Sequence, residues 1–192
     1  MVDGGFISEA TFTLKMNQLG ADSTITFGAA PPIPADSTQY TIPLSTTNDD
    51  EEPMWAVPQS ALYFSTANMF TQTDSVNAIL DSGNESIMMP EEQYTWFLTQ
   101  VNALNIFNLD CTGDMCVTTT TSCEDLWPQL DDLIIKLGDM YYSLAPEAYT
   151  YPIIATDVNL CGISVAKSFD ANMRLGITFL RDFNVVFDHT NS

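Results

Sequence analysis

The chain has 192 residues, 45% apolar and 11% aromatic, which is enough to bury a core and too apolar for a disordered composition. Its 25 acidic and 5 basic residues leave a formal charge of −20. Such a balance argues against nucleic-acid binding, disfavours anionic membrane surfaces and is compatible with an acidic working environment, where protonation relieves self-repulsion.

The residues after Met1 show no basic-then-apolar leader, and no apolar run approaches the ~20 residues that span a bilayer. Residues 1–10 read instead as the interior of a mature domain, so the expectation is a fragment or a shortened gene model. Short apolar or alternating runs follow at Ala10–Met16, Thr24–Phe27, Gln39–Leu44, Ala61–Thr66 and Ala78–Leu80. They resume at Leu133–Leu137, Tyr141–Leu144, Ile153–Asp157 and Val185–Phe187. Gly, Pro, Asn, Asp and Ser clusters separate them, with loops expected at Ala29–Ser37, Thr46–Pro53 and Asp110–Ser122. This pattern predicts a mostly β chain with sheets folded over one another. The acidic run Asp49–Glu52 reads as a solvated loop.

One stretch reads as a helix. Pro90 suits a first position, Glu91 and Glu92 suit the positive end of the helix dipole, and Tyr94, Phe97, Leu98 and Val101 recur at helical spacing. A second short helix is expected at Glu124–Gln129 or Ala145–Tyr149. Four cysteines allow three pairings, of which Cys111–Cys116 with Cys123–Cys161 is the expected one. A zinc site is a weak rival, because His189 is the one histidine and the Cys-x4-Cys spacing is not a usual zinc hairpin.

The chemistry concentrates in Ala78-Ile79-Leu80-Asp81-Ser82-Gly83-Asn84. An apolar strand that runs into an aspartate is costly unless the charge is hydrogen-bonded or shared. Gly83 lets the backbone approach the carboxylate, and Ser82 adds a hydroxyl. Alone, Asp-Ser-Gly is a common turn; Asn84-Glu85-Ser86 is also a glycosylation sequon, though an internal turn would carry no glycan.

The wider context resembles the pepsin-like (A1) aspartic proteases, in their C-terminal lobe, along nearly the whole chain. Phe6–Leu14 resembles the strand that enters that lobe, and Ser23–Gly28 the strand that follows it. Trp55 resembles an aromatic that opens the next strand, and Asp81-Ser82-Gly83 with Ile87 and Pro90 resembles the second catalytic turn and its helix. Cys123 and Cys161 match a family disulfide, with Pro128 and Tyr149 between them. Leu175-Gly176, Phe179-Leu180-Arg181 and Val186-Phe187-Asp188 resemble the closing signature.

The resemblance implies a closed or orthogonal β-sheet, barrel-like lobe with one or two short helices, spanning residues 1–192. It implies that Asp81 is the catalytic aspartate and Ser82 part of a clasp between two lobes. Gly83 would admit the substrate backbone, and Leu175 and Gly176 would support the catalytic loop. Asn84 stands where the family has a hydroxyl that bonds the carboxylate; its amide is expected to donate instead. Glu85 adds a like charge, and Ile177 replaces an acidic residue after the glycine.

No second Asp-Thr/Ser-Gly turn occurs in the 192 residues; Asp3-Gly4-Gly5 and Asp139 lack the apolar strand and hydroxyl. Two aspartates are needed to share a proton and activate water. The resemblance therefore implies a polypeptide substrate, no cofactor and an N-terminal lobe as partner, with symmetric self-pairing ranked lower. Paired cysteines and the family's habits imply a secreted, lysosomal or vacuolar setting. The alternatives are a non-catalytic, protease-like binding or inhibitory module and an unrelated extracellular acidic β domain.

Overall fold

The computed structural model describes residues 4–5, 7–17, 22–28, 32, 35, 37–45, 55–65, 68–106, 108–113, 115–155 and 158–189, without the side chains of 72–75, 155 and 158. The expected loop Thr46–Pro53, with Asp49–Glu52, lies outside them, as does most of Ala29–Ser37.

The chain begins with β1 (Thr11–Lys15), β2 (Thr24–Phe27), β3 (Ala56–Phe64), β4 (Asn68–Leu80) and β5 (Ile87–Met89). Helix α1 (Glu91–Ala103) follows, then β6 (Leu109–Asp110), β7 (Val117–Thr118), α2 (Cys123–Leu126) and a 3-10 turn (Trp127–Gln129). The hairpin β8 (Leu133–Leu137) and β9 (Met140–Leu144) leads to α3 (Pro146–Tyr149), β10 (Thr150–Ala155) and β11 (Val158–Ile163). The chain closes with β12 (Val165–Lys167), β13 (Met173–Leu175), α4 (Ile177–Leu180) and β14 (Asn184–Asp188).

The described strands form three sheets, ordered β14-β1-β2, β10-β11-β7-β6 and β12-β5-β13-β4-β3-β8-β9. The mostly β architecture is as expected. Two details are corrected: the described strands do not close into a barrel, and the described residues form four α-helices instead of one or two. Both alternatives for the second helix form; α4 was not expected, and it carries neither a side-chain cap nor an acidic first turn that would mark its start.

Local chemistry explains the main elements. In β8 the alternation Leu133, Ile135, Leu137 is buried, as a strand with one face on the core requires. A register shift between Gln59 and Ala61 makes β3 change phase. Val57 and Gln59 face inward before it, Leu62 and Phe64 after it. Pro58 lies just past the last ladder pair with β8, at Gln59, and engages that side through its carbonyl, which accepts from Gly138 N–H at 2.8 Å and needs no proline donor.

Helix α1 starts where Tyr94 N–H donates to the Pro90 carbonyl, with Glu91 and Glu92 in its first turn. Its inner face is Gln93, Tyr94, Phe97 and Val101; Phe97 meets Phe64 edge-on at 5.5 Å. Gln93 donates to Gln59 within the core. The expected run Gln39–Leu44 forms no strand and pairs with none of the described strands. Ile42 and Leu44 still pack against the core.

Two disulfides tie the described chain, Cys111–Cys116 and Cys123–Cys161, the latter with both residues buried. They close loops of sequence separation 5 and 38. Loop-closure entropy predicts that replacing both Cys123 and Cys161 by Ala costs about 4 kcal/mol, and replacing Cys111 and Cys116 about 2 kcal/mol. Urea denaturation of the two double variants should reproduce that order; equal losses would remove the entropic account.

Candidate active site

Strand β4 delivers Asp81 from a buried stem. Ala78 and Ile79 are buried, and β13 pairs with β4 in parallel, Arg174 opposite Ile79 and Leu175 opposite Leu80. The strand ends held on both sides. Leu80 N–H donates to the Trp55 carbonyl at 2.9 Å, and Asp81 N–H to the Leu175 carbonyl at 3.1 Å.

The chain then turns. Asn84 N–H donates to the Asp81 carbonyl at 3.2 Å, and Gly83 N–H donates to Asp81 Oδ1 at 3.1 Å. Gly83 contributes room: a Cβ there would stand 3.3 Å from Asp81 Oδ1. The Asp81 side chain keeps 32% of its surface exposed, so it is reachable by water or a partner. Ser82 and Gly83 are exposed at the tip.

Beneath the turn lies the junction of β13 and α4. Ile177 N–H donates to the Asn84 carbonyl at 2.7 Å, Gly176 N–H to that of Ser86 at 3.2 Å, and Thr178 N–H to that of Glu85 at 3.0 Å. Gly176 is required by space. A Cβ there would come within 2.5 Å of the Ser86 carbonyl oxygen and closer still to that of Asn84. Thr178 Oγ1 donates to the Glu85 carbonyl at 2.7 Å and lies 2.8 Å from Ser164 Oγ. Ser164 Oγ in turn lies 3.2 Å from Ser86 Oγ. Thr178 and Ser164 are buried, so this chain of hydroxyls fixes the underside of the turn without a charge.

A guanidinium stands beside the carboxylate. Arg174 Nη1 lies 3.4 Å from Asp81 Oδ2, and Nη2 lies 2.6 Å from Asp170 Oδ2. Partial burial opposes ionisation of Asp170. The Arg174 hydrogen bond and charge, the Asn172 N–H and the Ser168 hydroxyl outweigh it and hold the carboxyl below its usual range. The Asp170 contact in turn pushes the Arg174 guanidinium up.

The expected residues thus meet at one place: Asp81, Ser82, Gly83 and Asn84 on the turn, Leu175 and Gly176 beneath it. Asn84 acts differently from expectation. Its Oδ1 accepts from Ser86 N–H at 3.3 Å, while its Nδ2 is buried with no hydrogen-bond partner among the described residues. It braces the turn and does not donate to Asp81, whose side-chain oxygens are met by Gly83 N–H and Arg174. A buried Nδ2 also rules the sequon out as a glycan site. Glu85 is exposed and engages the site through its carbonyl.

Sequence reasoning missed Arg174, Asp170, Ser164 and Thr178. Arg174 lies 93 residues from Asp81, and no local pattern marks such a pair. Among the described residues no group of His, Cys, Asp or Glu gathers to hold a metal, and no helix is long and apolar enough to cross a membrane.

The family model described as eukaryotic aspartyl protease matches residues 1–192. The chain belongs to the eukaryotic aspartyl protease family. It is 24% identical over 192 residues to a probable vacuolar protease A of Arthroderma benhamiae, covering 98% of this chain and 44% of that protein. It is 30% identical over 121 residues to plasmepsin I of Plasmodium falciparum, covering 62% and 25%. A probable aspartic-type endopeptidase of Aspergillus oryzae, opsB, is 25% identical, with 100% and 40% covered. The chain spans less than half the length of each of these relatives.

Two outcomes follow. Gly176→Ala in this aspartyl protease chain should destabilise it by more than about 2 kcal/mol, since the new methyl meets fixed backbone. A melting temperature equal to the parent's would refute the close approach. Asp170 has a depressed folded value, so its stabilisation is present above its unfolded value of about 3.8 and lost as pH falls through the folded one. Asp170→Asn should therefore unfold at lower urea than the parent near neutral pH, with the gap closing under strongly acidic conditions; a pH-independent gap would contradict it.

Proposed function

We propose that residues 1–192 form a single C-terminal lobe of an aspartic endopeptidase and supply one aspartate, Asp81, to acid proteolysis of polypeptides. A second aspartate comes from an N-terminal lobe. The two face each other and share one proton. The ionised member takes a proton from a water, which attacks the peptide carbonyl, while the protonated member hydrogen-bonds the carbonyl oxygen. No cofactor is called for. Ser82, exposed at the tip, belongs to the contact between lobes; Gly83 admits the substrate backbone; Leu175 and Gly176 hold the loop from below.

The observation that carries this reading is the Asp81 carboxylate. It follows the buried end of β4, is pinned through Oδ1 by Gly83 N–H, and is still one-third exposed. The carboxylate is held and left reachable at the tip of a glycine turn. The sheet β14-β1-β2 supports a partner lobe, since Ile25, Phe27 and Val186 are exposed on it. The vacuolar relative and the two disulfides are consistent with an acidic secretory, lysosomal or vacuolar setting.

One observation favours a second reading, a protease-like binding or inhibitory module. Asn84, where the family has a carboxylate-bonding hydroxyl, keeps its Nδ2 away from Asp81. The two readings separate in one experiment. This chain, produced together with its N-terminal lobe, should cleave a denatured polypeptide at acidic pH, be blocked by pepstatin, and lose at least about 100-fold in kcat on Asp81→Ala. Absence of pepstatin-sensitive cleavage, with Asp81→Ala changing nothing, would favour the binding module.

A further inference from the structure

Arg174 is the one cation the fold brings to the candidate catalytic carboxylate, among the described residues, and its placement is over-determined. Nη2 donates to Asp170 Oδ2 at 2.6 Å. The guanidinium carbon lies 4.7 Å from the centre of the Phe169 ring, within cation–π range. Nε is buried without a hydrogen-bond partner, so the contacts run through the two terminal nitrogens. Asp170 is itself fixed, accepting from Asn172 N–H at 2.8 Å and lying 3.2 Å from Ser168 Oγ. None of these anchors involves Asp81.

The remaining arm, Nη1, points to Asp81 Oδ2 at 3.4 Å. That is longer than the 2.7–2.9 Å of a tight charge-assisted bond. The guanidinium is therefore not drawn in by Asp81; it is held by Asp170 and Phe169 and presented to Asp81. With Gly83 N–H on Oδ1 and Arg174 on Oδ2, the plane of the carboxylate is set from both oxygens. Strand β13 carries Arg174 and also holds the Asp81 backbone, since the Leu175 carbonyl accepts from Asp81 N–H.

The geometry points to Arg174 as a positioning residue for the reaction proposed above, with Asp170 and Phe169 as its mount. It rests on that reading for its catalytic meaning, though not for its contact. Phe169 is 76% exposed, so one side of the mount stays open to solvent and to a bound peptide. A fixed guanidinium at Oδ2 orients the carboxylate toward its partner and toward the attacking water, and misplacement by an ångström costs heavily in rate.

The kinetic test uses the protease assembled from this chain and its N-terminal lobe. Arg174→Met should lower kcat about 10- to 100-fold with KM unchanged, and Arg174→Lys should recover part of the loss. Asp170→Asn, which frees the mount and keeps Arg174, should lower kcat in the same sense. An unchanged or raised kcat in Arg174→Met, or a loss confined to KM, overturns the inference. A second measurement does not need activity. In the 192-residue chain, Asp81→Asn should shift the side-chain 15N signals of Arg174, whereas Lys167→Ala should leave them in place. Signals that ignore Asp81→Asn overturn the contact itself. An inactive parent enzyme would sink the proteolytic reading and leave this spectrum to decide on Arg174.

Discussion

Everything around Asp81 depends on the bare backbone of Gly176. The carbonyls of Asn84 and Ser86 approach it more closely than any side chain permits. This contact lets three consecutive N–H groups, those of Gly176, Ile177 and Thr178, reach the carbonyls of residues 84–86. The turn is thus bonded from below by main chain, whose geometry does not vary with rotamer. Buried Thr178 and Ser164 add hydroxyls that satisfy the polar groups this packing would otherwise strand. The outcome is a carboxylate whose neighbours are fixed before any substrate or partner arrives.

How much of this could be read from the sequence follows from how local each cause is. Thr24–Phe27 and Leu133–Leu137 carry their strand character in their own residues and form strands with the expected bounds. The apolar face of α1 is equally self-contained. By contrast, Ala78–Leu80 is only the apolar end of a thirteen-residue strand, whose earlier part mixes Met69, Phe70 and Val76 with polar residues and is held by pairing with β3. Gln39–Leu44 alternates like a strand yet pairs with none of the described strands, which local alternation does not reveal. The triplet Asp81-Ser82-Gly83 was legible because a turn is local. Its supports Arg174, Asp170, Ser164 and Thr178 were not, because they come into range only through the parallel pairing of β13 with β4 and of β12 with β5.

Charge is scarce on one side and is spent with selectivity. Of 5 basic residues, Arg174 meets Asp170 and Asp81, Arg181 donates to the Ala148 carbonyl, and Lys167 pairs with Glu91. The exposed Lys167 pair contributes little. The two arginines brace the site and the α3–α4 side, leaving most of the 25 acidic groups without a cation. That imbalance is tolerable where many carboxylates are protonated. The Asp170 carboxyl, held below its usual range, keeps its pair with Arg174 further into acid than an ordinary surface pair would.

The topology of the large sheet also sets a clock. Strand β5 pairs with β12, and β4 with β13, so Ile87 waits for Val165 and Leu80 for Leu175. Contacts of such sequence separation form late, because loop closure must precede them. At ribosomal rates, the roughly 95 residues between Asp81 and Gly176 take on the order of 5–20 s to appear. Through that interval Asp81 has no floor beneath its turn and no Leu175 carbonyl for its amide. The turn that carries Asp81 is thus made before the segment that supports it, and it is fixed only once that segment has arrived.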